Sequence, residues 1–385
     1  MSALPLSLYI HIPWCVQKCP YCDFNSHQQK GTIPETEYIA HLLDDLTTDI
    51  QSFNLNAQQK QREVSSVFIG GGTPSLLSVD AMQHLMDGVR ARVPLAKNAE
   101  VTMEANPGTV EADKFTGFAQ VGVNRISIGV QSYNTSHLQN LGRIHDGQQA
   151  VRAISLASDL KLSSFNTDLM HGLAKQTPEQ ALKDLQTSID LQVPHISWYQ
   201  LTIEPNTQFY SKPPTLPDDD VLWEIQELGQ TLLAESGYQQ YEISAYGKNG
   251  HQSQHNLNYW RFGDYLGIGC GAHGKITDLS TGQIQRTVKV KHPKGYMDLS
   301  KPYLYEKHRV EEDDLAFEFF MNRFRLLEAC PQEDYDHYTF SPLSSKNQHV
   351  LSQAADKGLI IDDGKMWQVT ALGRRYLNSL LSEFV

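Results

Sequence analysis

The sequence predicts an α/β protein: a partial (β/α)6 barrel, then a mixed extension, then a small winged-helix-like module at the carboxy terminus. Three observations carry this. Strand-like and helix-like segments alternate through about the first 200 residues. Polar or glycine-rich motifs recur where the strands end. From residue 306 onward the pattern changes to helix, two short strands and a last helix.

Leu6–Ile12 (LSLYIHI) reads as a buried strand, and Glu35–Ile50 has apolar residues at helical spacing. Ser66–Ile69 is a strand running into Gly70-Gly71-Gly72, and Ser78–Val93 is a helix with Ser78 as its N-cap. The strand Glu100–Glu104 ends at Asn106-Pro107-Gly108, and a helix follows from Glu111. Then come strand Arg125–Gly129, helix Gly147–Asp159, strand Ser164–Leu169, helix Pro178–Leu191 and strand His195–Thr202. Such alternation implies a parallel sheet with right-handed crossovers. Six units fall short of the eight that close a barrel, so an open one is expected, with its chemistry at the carboxyl ends of the strands. A cysteine loop, the glycine triplet, Glu104, Gln131 and Asp168 sit at or near the ends of strands one to five. Four prolines (205, 213, 214 and 217) mark residues 204–220 as a loop leaving the barrel. The expected organisation is barrel 1–205, mixed extension 206–305 and carboxy-terminal module 306–385, whose short strands are LIIDD and MWQVT and whose last helix starts at Ala371.

Composition excludes some function classes. A formal net charge of −12 argues against nonspecific nucleic-acid binding. Arg323, Arg325, Arg374 and Arg375 are scattered and form no basic stripe. No apolar run approaches the roughly 18–20 residues that span a bilayer. Residues 3–14 lack the basic start of a targeting segment, so the cytoplasm is expected.

The five cysteines are an odd set, with three packed into HIPWCVQKCPYCDF as C-x3-C-x2-C. That is a poor disulfide framework and a good metal one. Thiolates of Cys15, Cys19 and Cys22 can hold three irons of a [4Fe–4S] cubane and leave the fourth iron open. The amino and carboxylate groups of S-adenosylmethionine (SAM) can chelate that iron, and an electron from the cluster can then cleave the sulfonium to a deoxyadenosyl radical. The alternative is a structural zinc site with His11 or His27 as fourth ligand. Cys270 and Cys330 read as ordinary buried cysteines.

The cysteine loop resembles the radical-SAM superfamily. LYIHIPWCVQKCPYCDF, FIGGGTPS, EANPGT, RISIGVQSYNTSHLQNLGRIH, NTDLMHGLAKQT and HISWYQLTIE together resemble its coproporphyrinogen-dehydrogenase-like subgroup, over nearly the whole chain. The true dehydrogenases carry a fourth cysteine where this chain has Phe24, and a preceding extension where this chain starts directly on strand one. Both departures point to the HemW-type haem chaperones, as does His255-Asn256-Leu257-Asn258-Tyr259-Trp260, which is similar to the HNxxYW motif of that branch. The resemblance implies SAM contacts at Tyr9, Gly71, Gly72, Thr73, Glu104, Gln131, Arg143 and Asp168, and haem contacts at His255, Tyr259 and Trp260. It also implies haem, acceptor haemoproteins and an electron donor as partners, and leaves room for a transient membrane-protein contact and a homodimer. The alternative it carries is oxidative decarboxylation of coproporphyrinogen III.

Most of these residues also have a chemical reading of their own. Tyr21, inside the cysteine loop, can pack on an adenine. Gly71 and Gly72 let backbone approach a ligand, or merely make a tight turn. Glu104 and Asp168 suit ammonium or ribose hydroxyls, Arg143 suits a carboxylate, and Gln131 can bridge polar groups, although surface salt bridges are a common fate for such charges. Haem iron takes imidazole and its macrocycle wants flat apolar surface, which His255, Tyr259 and Trp260 supply, with His251 and His273 close by in sequence. A histidine among aromatics is otherwise simply packed. The glycine-rich run 265–275 reads either as a flap over the SAM site or as a set of tight turns.

Overall fold

The computed structural model describes residues 4–55, 62–109 and 112–385. Six parallel strands run in chain order across one sheet: β1 (Leu6–Ile12), β2 (Val64–Gly71), β3 (Leu95–Ala105), β4 (Arg125–Gln131), β5 (Ser164–His171) and β6 (His195–Gln200). Helices α1 (Glu35–Ser52), α2 (Val79–Arg90), α3 (Ala112–Gln120), α4 (Gly147–Asp159) and α5 (Pro178–Asp190) connect them. The start of the helix expected from Glu111 lies outside the described residues. Ser78 caps α2 as expected, accepting a hydrogen bond from the Ala81 N–H. The sheet does not close on itself.

Alternation along the strands separates two environments. Leu6, Leu8, Ile10 and Ile12 on β1, and Ile126, Ile128 and Val130 on β4, are fully buried in the apolar core. Their neighbours in sequence point to the other face, which is the concave interior of the barrel.

Two features differ from the sequence expectation. The chain after the proline-rich loop forms a long helix, α6 (Asp219–Glu235), capped by Asp218, so the sixth βα unit is complete. It meets the sheet at Gly229, where an added Cβ would lie 2.0 Å from the Trp198 indole. Gly229→Ala is therefore expected to cost about 1–3 kcal/mol by overpacking, read as a lower denaturation midpoint.

The second difference is the glycine-rich run. Asp264–Ile268 forms β7, parallel to β1 on its free side, with Tyr9 opposite Gly267. The turn at Gly269 and Gly271 (φ +100° and +75°) leads into antiparallel β8 (His273–Asp278), β9 (Gln283–Lys289) and β10 (Leu304–Arg309). The extension thus continues the barrel sheet on one edge. The short strands Gln239–Gln240 and Ala245–Gly247 continue it on the other. Between these edges, helix α7 (Gln254–Trp260) packs into the open barrel. Its first N–H groups donate to the Glu100 carboxylate on β3, and His255 reaches Ser66 on β2.

The carboxy-terminal module has its own aromatic core around Phe319, Phe320, Trp367 and Phe384. Short helices surround a three-stranded sheet of Cys330–Pro331, Met366–Val369 and Ile360–Asp362. Its arginines are engaged within the protein: Arg323 with Glu328 and Asp334, Arg325 over the Trp260 ring, Arg374 with the Val369 carbonyl and Arg375 over Trp223.

Candidate functional site

The mouth of the barrel holds a cavity of about 310 Å³. Cys15, Cys19, Tyr21 and Cys22 line one end, and Gly71, Gly72, Thr73, Glu104, Gln131, Arg143 and Asp168 line the rest. The structure therefore gathers three cysteines from one loop and polar residues from several strand ends into one space. Burial pushes the Cys15 and Cys22 thiols above their usual range, against hydrogen bonds from Thr73 to Cys15 and from Ser26 to Cys22. Arg143 Nη1 donates to Cys19 Sγ at 3.5 Å and Nη2 to the Gly129 carbonyl at 2.7 Å, while its Nε stays buried and unpaired.

The glycine pair is required by space. A Cβ on Gly71 would fall 2.4 Å from the His11 ring, at a φ of +113°. One on Gly72 would fall 2.5 Å from the Trp14 carbonyl oxygen. The Gly71 N–H donates to Glu104 Oε2 at 2.9 Å. Burial pushes the Glu104 carboxyl up to about 7, outweighing that bond, and the nearby Asp168 charge adds to the shift. Burial also raises Asp168, although Ser127 and Asn166 each donate to it at 2.9 Å. Gln131 sits at φ +67°, a strained conformation for a non-glycine residue, and accepts from the Tyr199 hydroxyl at 2.7 Å.

Sequence reading missed Arg125, Ser127, Asn166, His195, Ser197 and Tyr199, which also line this cavity. The signal was present as period two: 125, 127, 129 and 131 on β4, 166 and 168 on β5, and 195, 197 and 199 on β6.

A second cavity, of about 740 Å³, opens on the β1 and β7 side and shares Cys22, Phe24, Ser26, Gly71 and Glu104 with the first. Tyr9, His11, Lys18, Asp23, His27, His255, Tyr259, Tyr265, His273 and Lys291 are among its other lining residues. Tyr9 lines this second cavity and not the first, apart from the other residues expected at SAM, and its hydroxyl is bonded to His11 Nδ1 at 3.0 Å. The other His11 nitrogen is bonded to the Asn25 carbonyl at 2.9 Å, so this ring has no nitrogen left for zinc. His27 Nε2 is tied to the Lys291 carbonyl. Among the described residues no three His, Cys, Asp or Glu side chains, the three cysteines included, are grouped so as to hold a metal ion. Cys15, Cys19 and Cys22 instead line one end of the first cavity.

Comparison with known proteins decides the family. The radical-SAM superfamily model matches residues 9–187, and a HemN C-terminal domain model matches residues 310–376. The chain is 59% identical over 381 residues to a protein of Escherichia coli K12 named heme chaperone HemW, covering 99% of this chain and 98% of that one. It is 56% identical to the Haemophilus influenzae protein of the same name, with the same coverages. The chain belongs to the HemW family of radical-SAM proteins. The relatives' name decides between the two branches of the resemblance, against the dehydrogenase. Fold likeness extends further: the solved structure of the E. coli coproporphyrinogen III oxidase HemN matches with a TM-score of 0.82 at 23% identity, over 99% of this chain and 90% of that one.

Membership in a radical-SAM family implies a [4Fe–4S] cluster and SAM, and the first cavity fits both. It offers three thiols on one loop, two glycines in close backbone contact, strand-end carboxylates, and buried N–H groups on Arg143 and Arg125 that make no hydrogen bond, although Arg125 Nε is ion-paired with Glu100 at 3.8 Å. The HNxxYW segment of this HemW-family chain is helix α7, and its three named residues part company. His255 and Tyr259 line the second cavity, whereas Trp260 packs beside Tyr241, Leu257 and Leu326 under the Arg325 guanidinium.

Proposed function

We propose that this chain is a haem chaperone that seats haem in the larger cavity and passes it to acceptor haemoproteins, with the cluster and SAM next door. The observation that carries the reading is His255. Burial pushes its imidazole down to about 3, so it is neutral at physiological pH, the form that ligates iron. Ser66 takes Nδ1 at 3.1 Å, fixing the ring and leaving Nε2 for a metal. Tyr9, Phe24, Tyr259 and Tyr265 supply flat walls around it, and the volume falls in the range of about 300–1,000 Å³ typical of small-molecule sites. The HemW relatives, named heme chaperones along their whole length, support the same reading.

In the first cavity, Cys15, Cys19 and Cys22 would ligate the cluster. Gly71, Gly72, Thr73, Glu104 and Arg143 would hold the methionyl end of SAM, and Tyr21, Gln131 and Asp168 its adenosine. When bound, the cluster supplies the electron for SAM cleavage. An electron donor is therefore part of the proposed partner set. We place the protein in the cytoplasm; among the described residues no helix is long and apolar enough to cross a membrane.

Haemin titration tests the proposal. His255→Ala is expected to lose the histidine-ligated absorption spectrum and to weaken haem binding at least about tenfold. Trp260→Phe is expected to leave both near wild type, since Trp260 stands outside the cavity. Unchanged binding and spectrum in His255→Ala would overturn the assignment. Restored anaerobic haem synthesis in a strain lacking coproporphyrinogen dehydrogenase would favour the rival activity.

A further inference from the structure

The larger cavity has a chemically distinct edge. Lys18 and Lys291 line it, both exposed, and they border the same stretch of the cysteine loop. Lys18 Nζ donates to the Phe24 and Ser26 carbonyls, each at 3.2 Å. The Lys291 carbonyl accepts from Asn25 Nδ2 at 2.9 Å and is tied to His27 Nε2 at 3.2 Å. Residues 24–27 thus lie between the two lysines, while His255 comes from α7.

Both ammonium groups have donor capacity to spare. Lys18 uses two of its three protons on the loop. Lys291 Nζ, 6.0 Å from the Tyr305 ring centroid, makes no hydrogen bond among the described residues. Two carboxylates share the lining, Asp23 and Glu104. Glu104 is deeply buried, so at the rim the two exposed lysines face one exposed carboxylate, Asp23, and outnumber it.

We propose that Lys18 and Lys291 form a carboxylate clamp for the two propionates of haem, setting the charged edge of the macrocycle against the cysteine loop. This rests on the haem reading above and adds to it an orientation and a preference for porphyrins that carry free carboxylates. The clamp also gives haem a direct mechanical link to the loop that carries Cys22, because Lys18 holds that loop through two carbonyls.

The test uses the full chain with its cluster reconstituted anaerobically, titrated in parallel with haemin and haemin dimethyl ester. Haemin is expected to bind about fivefold to tenfold more tightly than the ester, with the advantage shrinking as salt rises. Lys291→Met is expected to weaken haemin about threefold and leave the ester unchanged. Lys18→Met, Lys291→Met together are expected to erase the difference. Lys291→Met makes no demand on the loop tether, so it carries the test by itself should Lys18→Met disturb cluster assembly. Equal affinity for haemin and ester in the unmodified protein overturns the clamp while leaving haem binding intact, as does a preference that survives Lys291→Met at full strength. Failure of both porphyrins to bind overturns the haem reading and the clamp with it.

Discussion

Replacing Asp264 by alanine is expected to lower the unfolding free energy by about 3–5 kcal/mol, the usual cost of breaking a buried ion pair from one side. Asp264 opens β7 with no exposed surface. Arg62 Nη1 lies 2.9 Å from Oδ2 and Lys275 Nζ 3.0 Å from Oδ1, and Thr277 donates its N–H to Oδ2 and its hydroxyl to Oδ1. Burial by itself would raise this carboxyl, but Lys275 and then Arg62 outweigh it and hold it below its ordinary value. Alanine would strand two buried cations. Arg62 keeps the Leu4 and Pro5 carbonyls, and Lys275 keeps the Phe262 carbonyl, which places the loss toward the lower half of the range. The pH signature follows from the direction of the shift. A depressed folded-state carboxyl contributes stability that is present above the unfolded value and is lost as pH falls through the folded one. The gap between wild type and Asp264→Ala in denaturant titrations should therefore stay constant from pH 8 to pH 5 and close only below about 4. A loss under about 1 kcal/mol at pH 7 would mean the pair does not anchor β7 to the barrel.

That anchor shows where sequence reasoning stops. Local signals were legible: Leu6–Ile12, Gly147–Asp159 and the Ser78 cap are where the pattern puts them. So was the placement of Gly71, Glu104, Gln131 and Asp168 at strand ends, because chain direction in a parallel sheet dictates which end faces the site. β7 was hidden because DYLGIG has neither alternation nor a helical period, and its partner strand lies more than 250 residues upstream. Besides the backbone ladder, a buried charge cluster of residues 62, 264 and 275, which no local window contains, ties β7 to the chain just before β1. The HNxxYW segment fails differently. Read as a line, His255, Tyr259 and Trp260 form one cluster. Wound into α7, His255 and Tyr259 are four apart and share a face, whereas Trp260 is five from His255 and rotated about 140° away. Helical geometry sends it to the Arg325 side.

SAM affinity should rise with pH through about 7, and Glu104→Gln should abolish the rise. Glu104 is buried beside Asp168, so its carboxyl is held near 7 in the free protein, well above the ordinary 4.5. A cationic ligand group at that position favours the ionised form and pulls the value back down. Below pH 7 binding must first remove a proton, and affinity is expected to fall by nearly tenfold for each pH unit. Above about pH 8 the carboxylate is already charged and the profile should flatten. At pH 7 the same coupling requires SAM binding to release about half a proton, readable by calorimetry in two buffers of different ionisation enthalpy. Glu104→Gln keeps the size and an acceptor oxygen for the Gly71 N–H, so the fold should persist while both the pH slope and the proton release vanish. A pH-independent affinity in the unmodified protein would remove Glu104 from the SAM site. A slope that survives in Glu104→Gln would move the titration to another group, of which the buried Asp168, itself raised, is the first to examine. The Asp168 charge adds to the cost of charging Glu104, so a cation bound beside Glu104 is expected to take the place of its proton.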